Sequence, residues 1–327
     1  MKSIFTILTL IGIVLVCSCQ RDDLYYATGN CATIRIEANW APAQLTPNGA
    51  SAYVFDCQGN AFGSVIQSND PRKIDILLPE GCYDVIVLNN STAEYKNIEC
   101  VGINRIETFA LIAKRIVSKY ATMSNKAEIF VVGPDTVAGA VVRKIEVSKQ
   151  MIDYLRYKPD KIEMTPAVVF QTTPTRMISV ADITVHVKGL KYAAGAPRTH
   201  LKNFSDGYYP HSGKTSPLCV CHEFVLNNRT FDEGSTRDGT ITKQQVTFGL
   251  HEQEGTRYLL NMEFVLLNGQ KYYVALDVTD GIRVTEGVHK TIHIYAEIEL
   301  PEVIGGGGGA FNPDLEKWND VNVEIPM

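Results

Sequence analysis

The residues with the clearest chemical potential lie at the start of the chain, where Cys17–Ser18–Cys19 closes a short apolar run. Lys2 supplies a basic start, and the apolar run Ile4–Val16 is interrupted only by two threonines and a glycine. This run is shorter than the roughly 20 residues of a membrane span and has the length of a secretory signal peptide. A small residue directly before a cysteine is typical of a bacterial lipobox. We therefore predict export, with the Cys19 thiol as the lipidation site and Cys17 as the alternative acceptor.

The segment Cys219–Val220–Cys221–His222 has the residue types that best suit a metal ion. On a strand, however, residues two apart have Cβ atoms roughly 6.6 Å apart and the next residue points to the opposite face. That distance is too long for a disulfide between the two cysteines, which needs Cβ atoms about 3.8 Å apart. No second Cys/His pair stands at zinc-ribbon spacing. We predict no metal site here, and either buried thiols or bridges to other cysteines.

Three further patterns in the sequence bear on catalysis and binding. Ser212–Gly213–Lys214–Thr215 resembles the end of a phosphate-binding loop, but Tyr208 occupies the position that requires glycine. His289 and His293 have the spacing of a helical ligand pair, yet on the strand expected there they lie about 13 Å apart. The sequence has neither a Gly-x-Ser-x-Gly elbow nor a His-Glu-x-x-His motif. We expect no enzyme activity and no cofactor, although paired glycosidase carboxylates meet only in space and stay open.

The composition of the 327 residues is that of a globular protein, with 45% apolar and 20% charged residues and a net charge of −5. A negative net charge without a basic block argues against a nucleic-acid partner. Six cysteines remain besides Cys17 and Cys19, and they allow 15 full disulfide pairings. Disulfides and free buried thiols both stay open for these residues: Cys31, Cys57, Cys82, Cys100, Cys219 and Cys221.

The elements that must position these residues are predominantly β-strands. Leu259–Leu267 and Gln270–Asp277 flank Asn268–Gly269, which predicts a hairpin with a type I′ turn. Helices are expected only at Ile106–Lys119 and Val147–Tyr157. Short strands without βαβ spacing predict β-sandwiches. The alternation of apolar and polar residues that marks half-buried strands occurs at Thr33–Ala38, Lys73–Ile76, Asp84–Leu88, Ser179–Val187 and Thr291–Ile298.

The stretch Tyr192–Tyr209 is rich in aromatic residues and runs into Pro210–His211. We expect a loop there. Such a loop can bind sugar or protein, and more often it only covers a sheet edge.

Proline spacing indicates the domain organisation. Pro159, Pro166 and Pro174 lie between Lys158 and Thr175, and a new alternating strand follows them. We expect a signal peptide over residues 1–18, a lipidated linker over 19–30, β-sandwiches over 31–165 and 166–301, and a glycine-rich hinge with a C-terminal strand over 302–327.

The chain ends in a strand pattern behind a flexible hinge. Gly305–Gly309 is a run of glycines with no Cβ atoms to restrict the backbone. In the segment that follows, Val321, Val323 and Ile325 are apolar at alternate positions. A strand on such a tether can complete its own sheet or add to the sheet edge of a partner. Both interpretations stay open.

Several motifs and their order together carry a family resemblance. They are Cys19–Tyr25, Leu78–Val87, Val187–Leu190, Asp277–Asp280, and the tail from Gly305–Gly309 through Trp318 to Val323–Ile325. With the lipobox they resemble the fimbrillin-like lipoproteins of Bacteroidales, in the branch of anchor and minor subunits and uncharacterised relatives. The resemblance covers nearly all of the chain after the signal peptide.

The resemblance implies an all-β fold of two tandem transthyretin-like β-sandwich domains behind a lipoprotein signal peptide. It implies that Ala32–Ala38 is a retained first strand and that Val321, Val323 and Ile325 belong to a donor strand. Asp22 and Asp23 resemble the acidic signal that sends such lipoproteins to the outer face of the outer membrane. Thr136 lies in Asp135–Thr136–Val137, which matches a short O-glycosylation sequon of these bacteria.

The function implied is that of a lipid-anchored cell-surface protein in the outer membrane, an anchor or minor subunit that acts in fimbria assembly or adhesion by β-strand complementation. Its expected partners are the membrane, through the lipid, and fimbrial subunits or host or bacterial surface ligands. The alternative is a carbohydrate-binding surface lipoprotein of a polysaccharide uptake system. That alternative needs an exposed aromatic platform, and Trp40 and Trp318 are the only tryptophans.

Overall fold

The computed structural model describes residues 30–118, 128–156 and 168–303, and nearly all of the regular structure there is β-strand. The predicted all-β class is therefore confirmed. In chain order, the strands as far as residue 172 are β1 (Cys31–Ala38), β2 (Ala50–Asp56), β3 (Ile66–Ser68), β4 (Lys73–Pro79), β5 (Gly81–Asn89), β6 (Ile98–Val101), β7 (Ala110–Ala113), β8 (Arg115–Ile116), β9 (Phe130–Val131), β10 (Ala138–Val147) and β11 (Val168–Thr172).

The strands that follow contain the last two of the five predicted alternating segments. They are β12 (Thr175–Arg176), β13 (Ser179–Lys188), β14 (Arg198–Ser205), β15 (Gly207–Tyr209), β16 (Lys214–Thr215), β17 (Cys219–Val225), β18 (Asn228–Phe231), β19 (Gly239–Thr247), β20 (Leu259–Val265), β21 (Lys271–Asp277), β22 (Arg283–Thr285) and β23 (Lys290–Glu299). Short 3-10 turns stand at Ala41–Ala43, Thr92–Glu94, Leu190–Tyr192 and Thr279–Gly281. The helix α1 covers Lys149–Arg156, within the predicted range Val147–Tyr157.

The chain divides into two compact units. The described residues of the smaller unit are 30–35, 75–81, 146–156 and 168–169. They contain α1 and parts of the three strands of the sheet with strand order β11-β1-β4. Arg35 and Asp75 join β1 and β4 through two parallel hydrogen bonds of 2.7 and 2.8 Å, the geometry that suits a guanidinium and a carboxylate.

The larger unit contains two β-sandwich cores. One core lies between the sheet β12-β10-β5-β2-β3 and the sheet β16-β15-β7-β6. Its fully buried side chains include Phe55 of β2, Leu88 of β5 and Leu111 of β7. Phe109, which precedes β7, meets Tyr53 edge to face with ring centroids 4.6 Å apart.

The second core lies between the sheet β18-β19-β13-β23-β22 and the sheet β21-β20-β14-β17-β9-β8. In β13 the residues at alternate positions from 181 to 187 are fully buried, as the alternating sequence predicts. Ile294 of β23 and Phe264 of β20 face the same core. Parallel pairing joins β13 and β23 along their whole length.

The predicted domain boundary at 165/166 lies among residues outside the described ranges and stays a prediction. Strands on either side of it share sheets. β15 pairs with β7, β12 pairs with β10, and β9 pairs in parallel with β17.

The predicted hairpin of β20 and β21 is confirmed, with Leu259 opposite Asp277 and Val265 opposite Lys271. Its turn differs from the predicted type I′, which needs positive φ at both central residues. Gly269 has a φ of 82°, whereas Asn268 keeps a negative φ.

Two predictions of local structure are wrong. The helix predicted over Ile106–Lys119 is not formed, because residues 106–118 contain turns followed by β7 and β8. The stretch Tyr192–Tyr209 is not a loop, since it contains β14 in the interior of a six-stranded sheet. A bulge at Asn203, whose φ is 67°, interrupts the alternation in β14 and hides the strand pattern.

Candidate functional site

Most of the predicted functional residues lie outside the described ranges. Cys19, Asp22 and Asp23 precede them, and the candidate donor strand with Val321, Val323 and Ile325 follows them. Lipidation, the export signal and strand donation therefore stay predictions. The structure describes Thr136, the candidate O-glycosylation residue. Thr136 is half-buried between β9 and β10, and its carbonyl accepts a hydrogen bond of 3.2 Å from Asn89 Nδ2.

The edge of β23 is only partly covered. On one side β13 pairs with all ten residues of β23, from Ser179 opposite Lys290 to Lys188 opposite Glu299. On the other side β22 pairs only with residues 291–293. The turn at Gly281 lies against the Tyr295 carbonyl. Within the described part of the chain, residues 296–299 thus have no ladder partner on this side, and such an edge can accept another strand.

A second uncovered edge belongs to β21, which is the outermost strand of its sheet. The chain passes from β21 to β22 through residues 278–282 only. Five residues span less than about 20 Å, and packed sheets lie about 10 Å apart, so β21 and β22 lie on the same side of the sandwich.

Half-buried apolar side chains accompany these two edges. We call Tyr272, Leu276, Ile282, Ala296 and Val303 the lateral strip. All five pack against the second core while remaining partly exposed. Tyr272 and Leu276 belong to β21, Ala296 belongs to β23, and Val303 is the last described residue before the predicted glycine hinge. The strip is a place where one more strand with alternating apolar residues would complete the burial of the core.

A cluster of buried polar side chains lies on β14 and β17, and no sequence pattern predicted it. His200 is fully buried, and its Nε2 lies 3.2 Å from Glu223 Oε2, which also accepts a 2.5 Å hydrogen bond from Ser118 Oγ. Beside them, Lys202 Nζ lies 2.7 Å from Glu128 Oε1. Burial lowers the pKa of His200, although the hydrogen bond to Glu223 acts in the opposite direction. Only the register of the two strands reveals this cluster, since its members are far apart in sequence.

The segment Cys219–His222 lies in β17. His222 is fully buried, neither of its ring nitrogens has a hydrogen-bond partner among the described residues, and its ring meets Phe204 edge to face with ring centroids 6.2 Å apart. Burial lowers the pKa of His222 to about 4 and raises the pKa of the Cys221 thiol. Across the three described ranges, no group of three or more His, Cys, Asp or Glu side chains is placed to hold a metal ion.

The structure contains one disulfide among the described cysteines, between Cys57 and Cys82, whose Cα atoms lie 5.5 Å apart. Cys31, Cys100, Cys219 and Cys221 are free thiols. Of the two alternatives that the sequence left open, Cys57 and Cys82 take the disulfide and the other four described cysteines take the free thiol.

No helix that the structure describes has both the length and the apolar character needed to cross a membrane.

Comparison with known proteins gives a family match and a shared fold. The family described as a domain of unknown function, DUF5119, matches residues 18–224. A candidate adhesin from Bacteroides ovatus is 17% identical with a TM-score of 0.54, and the alignment covers 94% of this chain and 98% of that one. At this identity the likeness shows the fold alone. No curated protein matches the chain.

Two weaker structural matches come from related bacteria. A candidate polysaccharide-binding protein from Bacteroides thetaiotaomicron is 10% identical over 83% of this chain and 92% of that chain, with a TM-score of 0.49. The fimbrial anchor protein Mfa2 from Porphyromonas gingivalis is 11% identical over 80% and 95%, with a TM-score of 0.43. The sequence resemblance therefore agrees with the fold that the chain shares with the candidate adhesin from Bacteroides ovatus.

Proposed function

The chain belongs to the DUF5119 family, and on that premise we propose that it is a cell-surface protein of the fimbrillin-like class that acts in adhesion or fimbria assembly. The fold shared with a candidate adhesin from Bacteroides ovatus supports this role. The finer proposal is an anchor or minor subunit that joins its partner by β-strand complementation.

The lateral strip is the observation that carries the mechanism. Its apolar side chains are half-buried beside two edges that leave ladder groups unpaired within the described residues. In the proposed mechanism, Val321, Val323 and Ile325 add as a strand and turn their side chains towards the strip. The backbone pairing provides affinity and the alternate side chains provide register. Either the chain's own tail or the matching strand of another subunit can fill the strip.

The proposed anchor is a lipid on Cys19, with Asp22 and Asp23 directing the protein to the outer face of the outer membrane. A single acyl chain binds a membrane only marginally, whereas two or more hold it stably. Thr136 is proposed as an O-glycosylation site.

One experiment in cells separates anchoring from strand donation. It compares the unaltered chain, Cys19→Ala, and a chain lacking Gly305–Met327, measuring outer-membrane fractionation and co-purification of fimbrial subunits. We expect Cys19→Ala to leave the membrane fraction while its tail still supports subunit binding after purification. The truncated chain should remain in the membrane fraction and lose its partners.

Two results would contradict the proposal. If the truncated chain folds and assembles normally, strand donation by the tail is wrong. If Cys19→Ala fractionates like the unaltered chain, lipidation at Cys19 is wrong. A truncated chain that misfolds would show that the tail completes its own sheet, which is the other form of strand complementation.

The alternative role in polysaccharide uptake gains no support from Trp40. Trp40 is only 4% exposed, and its Nε1 donates a 2.8 Å hydrogen bond to the Pro71 carbonyl, so it cannot stack on a sugar from solution. Trp318 lies outside the described residues.

A further inference from the structure

We infer that an open polar cavity at the end of β5 is a binding site for a neutral, hydroxyl-rich ligand such as the terminal sugar of a glycan. The cavity has a volume of about 350 Å³ and is formed by loop residues 45–48, 89–90, 94–95 and 135–136. This volume lies at the lower end of ligand pockets, which hold about 300 to 1,000 Å³. This inference rests on the proposed adhesive function and specifies the class of ligand that the protein would bind.

The cavity walls present polar groups that have no partner within the protein. The side chains of Thr46, Asn48 and Asn90 make no hydrogen bonds to the described residues. Glu94 uses Oε2 to accept from the Ser91 backbone, and Asp135 uses Oδ2 to accept from the Asn97 backbone, each at 2.7 Å. The second oxygen of each carboxylate is therefore available to a ligand.

The cavity floor is fixed by buried hydrogen bonds. Asn89 is 4% exposed, and its Oδ1 accepts from the Ala138 backbone at 2.7 Å and from the Tyr95 hydroxyl at 3.2 Å. The Tyr95 hydroxyl also lies against the Asn89 carbonyl. Because its supporting shell is already bonded, the site needs little reordering when a ligand enters, which favours binding.

The charge of the lining selects the class of ligand. No lysine or arginine lines the cavity, while Glu94 and Asp135 supply two carboxylates. Phosphate, sulfate and carboxylate groups would meet repulsion without a compensating cation. Sugar hydroxyls suit these walls, since they donate to carboxylate and amide oxygens and accept from the amide groups of Asn48 and Asn90. Two carboxylates without a third ligand do not favour a metal ion.

The test uses the full chain in detergent micelles and saturation-transfer NMR with methyl glycosides of glucose, galactose, mannose and N-acetylglucosamine. We expect at least one to bind, and the double variant Thr46→Ala/Asn48→Ala to weaken that binding at least tenfold. Both side chains are exposed and unbonded, so the fold should persist. The matched control is Asn227→Ala/Thr236→Ala, which removes the same two residue types from exposed positions elsewhere and should bind like the unaltered chain.

A second variant, Asn90→Gly, removes one amide while tolerating the left-handed φ of 65° at this position, and it should also weaken binding.

The inference is overturned if no neutral glycoside binds, if sialic acid binds as tightly as the neutral sugars, or if the cavity variants bind like the control. It is also overturned if binding requires added Ca²⁺. A chain carrying Val323→Asp should still bind sugar, so a failure of strand complementation is distinguishable from a failure of this site.

Discussion

His222 is a titratable residue that is fully buried in the folded chain. It lies within the second sandwich, next to Phe204, and neither ring nitrogen has a hydrogen-bond partner in the part of the chain that the structure describes. A buried imidazole in such surroundings stays neutral, because protonation would place an unpaired charge in the core. Burial accordingly lowers its folded-state pKa from 6.5 to about 4.

We predict that the protein loses stability as the pH falls from about 6.5 to 4. In this range the unfolded chain binds a proton at His222 and the folded chain does not, so acid favours unfolding. The stability that neutral His222 contributes is complete above pH 6.5. Between pH 6.5 and pH 4 the free energy of unfolding falls by about 3 kcal/mol, at about 1.4 kcal/mol per pKa unit. Burial also lowers the pKa of His200, which adds an effect of the same sign.

The substitution His222→Leu should therefore flatten the dependence of the free energy of unfolding on pH, measured by urea denaturation between pH 4 and 7. His211→Gln changes a half-exposed histidine and serves as the control. Equal slopes for the unaltered chain and His222→Leu would contradict this account of the buried imidazole.

Residue types alone predicted some of this local chemistry. The alternation of a strand indicated that Cys219–His222 could not gather its ligands on one face, and the structure confirms a strand there. The disulfide could not be selected from sequence, because it depends on which strands pair. Asp56 lies opposite Tyr83 in the β2–β5 ladder, and this register brings the neighbouring Cys57 and Cys82 together.

At the scale of elements, tertiary pairing determined the conformation of Ile106–Lys119. Its sequence permits an amphipathic helix, yet residues 110–113 pair with β6 on one side and β15 on the other. Strand propensity depends on such neighbours, and a single segment does not contain them. Short strands that pair with distant segments are therefore the elements that sequence patterns predict least well.

Gly207 shows how tightly this pairing is built. A Cβ atom at Gly207 would lie 2.6 Å from the Leu111 carbonyl oxygen and 2.2 Å from Ile112 Cδ1. We predict that Gly207→Ala lowers the free energy of unfolding by roughly 1 to 3 kcal/mol, because β7 and β15 must move apart. Thermal and urea denaturation measure this change.

Gly195→Ala is the matched control, since a Cβ atom there would have no heavy atom within 4 Å. It should leave stability nearly unchanged. If Gly207→Ala were as stable as Gly195→Ala, the close approach of β15 to β7 would be wrong.

At the scale of the whole molecule, the sequence predicted the sandwich class and long strands such as β13 and β23. It did not predict that β8 and β9 join a sheet with β14 and β17. Alternation indicates that a strand has one buried face, but it carries no information about which strand lies beside it. The sequence did not predict the lateral strip for the same reason, since its members come from two strands, β21 and β23, and from two segments outside the strands.

In the proposed mechanism, a strand from the tail, or from a second subunit, pairs beside the lateral strip. A strand in this position would protect backbone amides that are otherwise open at residues 296–299 of β23 and along β21. Hydrogen exchange reports such protection directly, because an amide exchanges slowly only while it is hydrogen-bonded and closed to water.

The most direct measurement is hydrogen–deuterium exchange of the full chain and of Val321→Asp/Val323→Asp/Ile325→Asp, each at two protein concentrations. Asn322→Ser/Glu324→Gln alters only the opposite face of the tail segment and is the control. We predict that the edge amides of β21 and residues 296–299 exchange at least tenfold faster in the triple variant than in the control. A dependence on concentration would identify a second subunit as the donor. Equal exchange rates in all three chains at both concentrations would contradict strand complementation at the lateral strip.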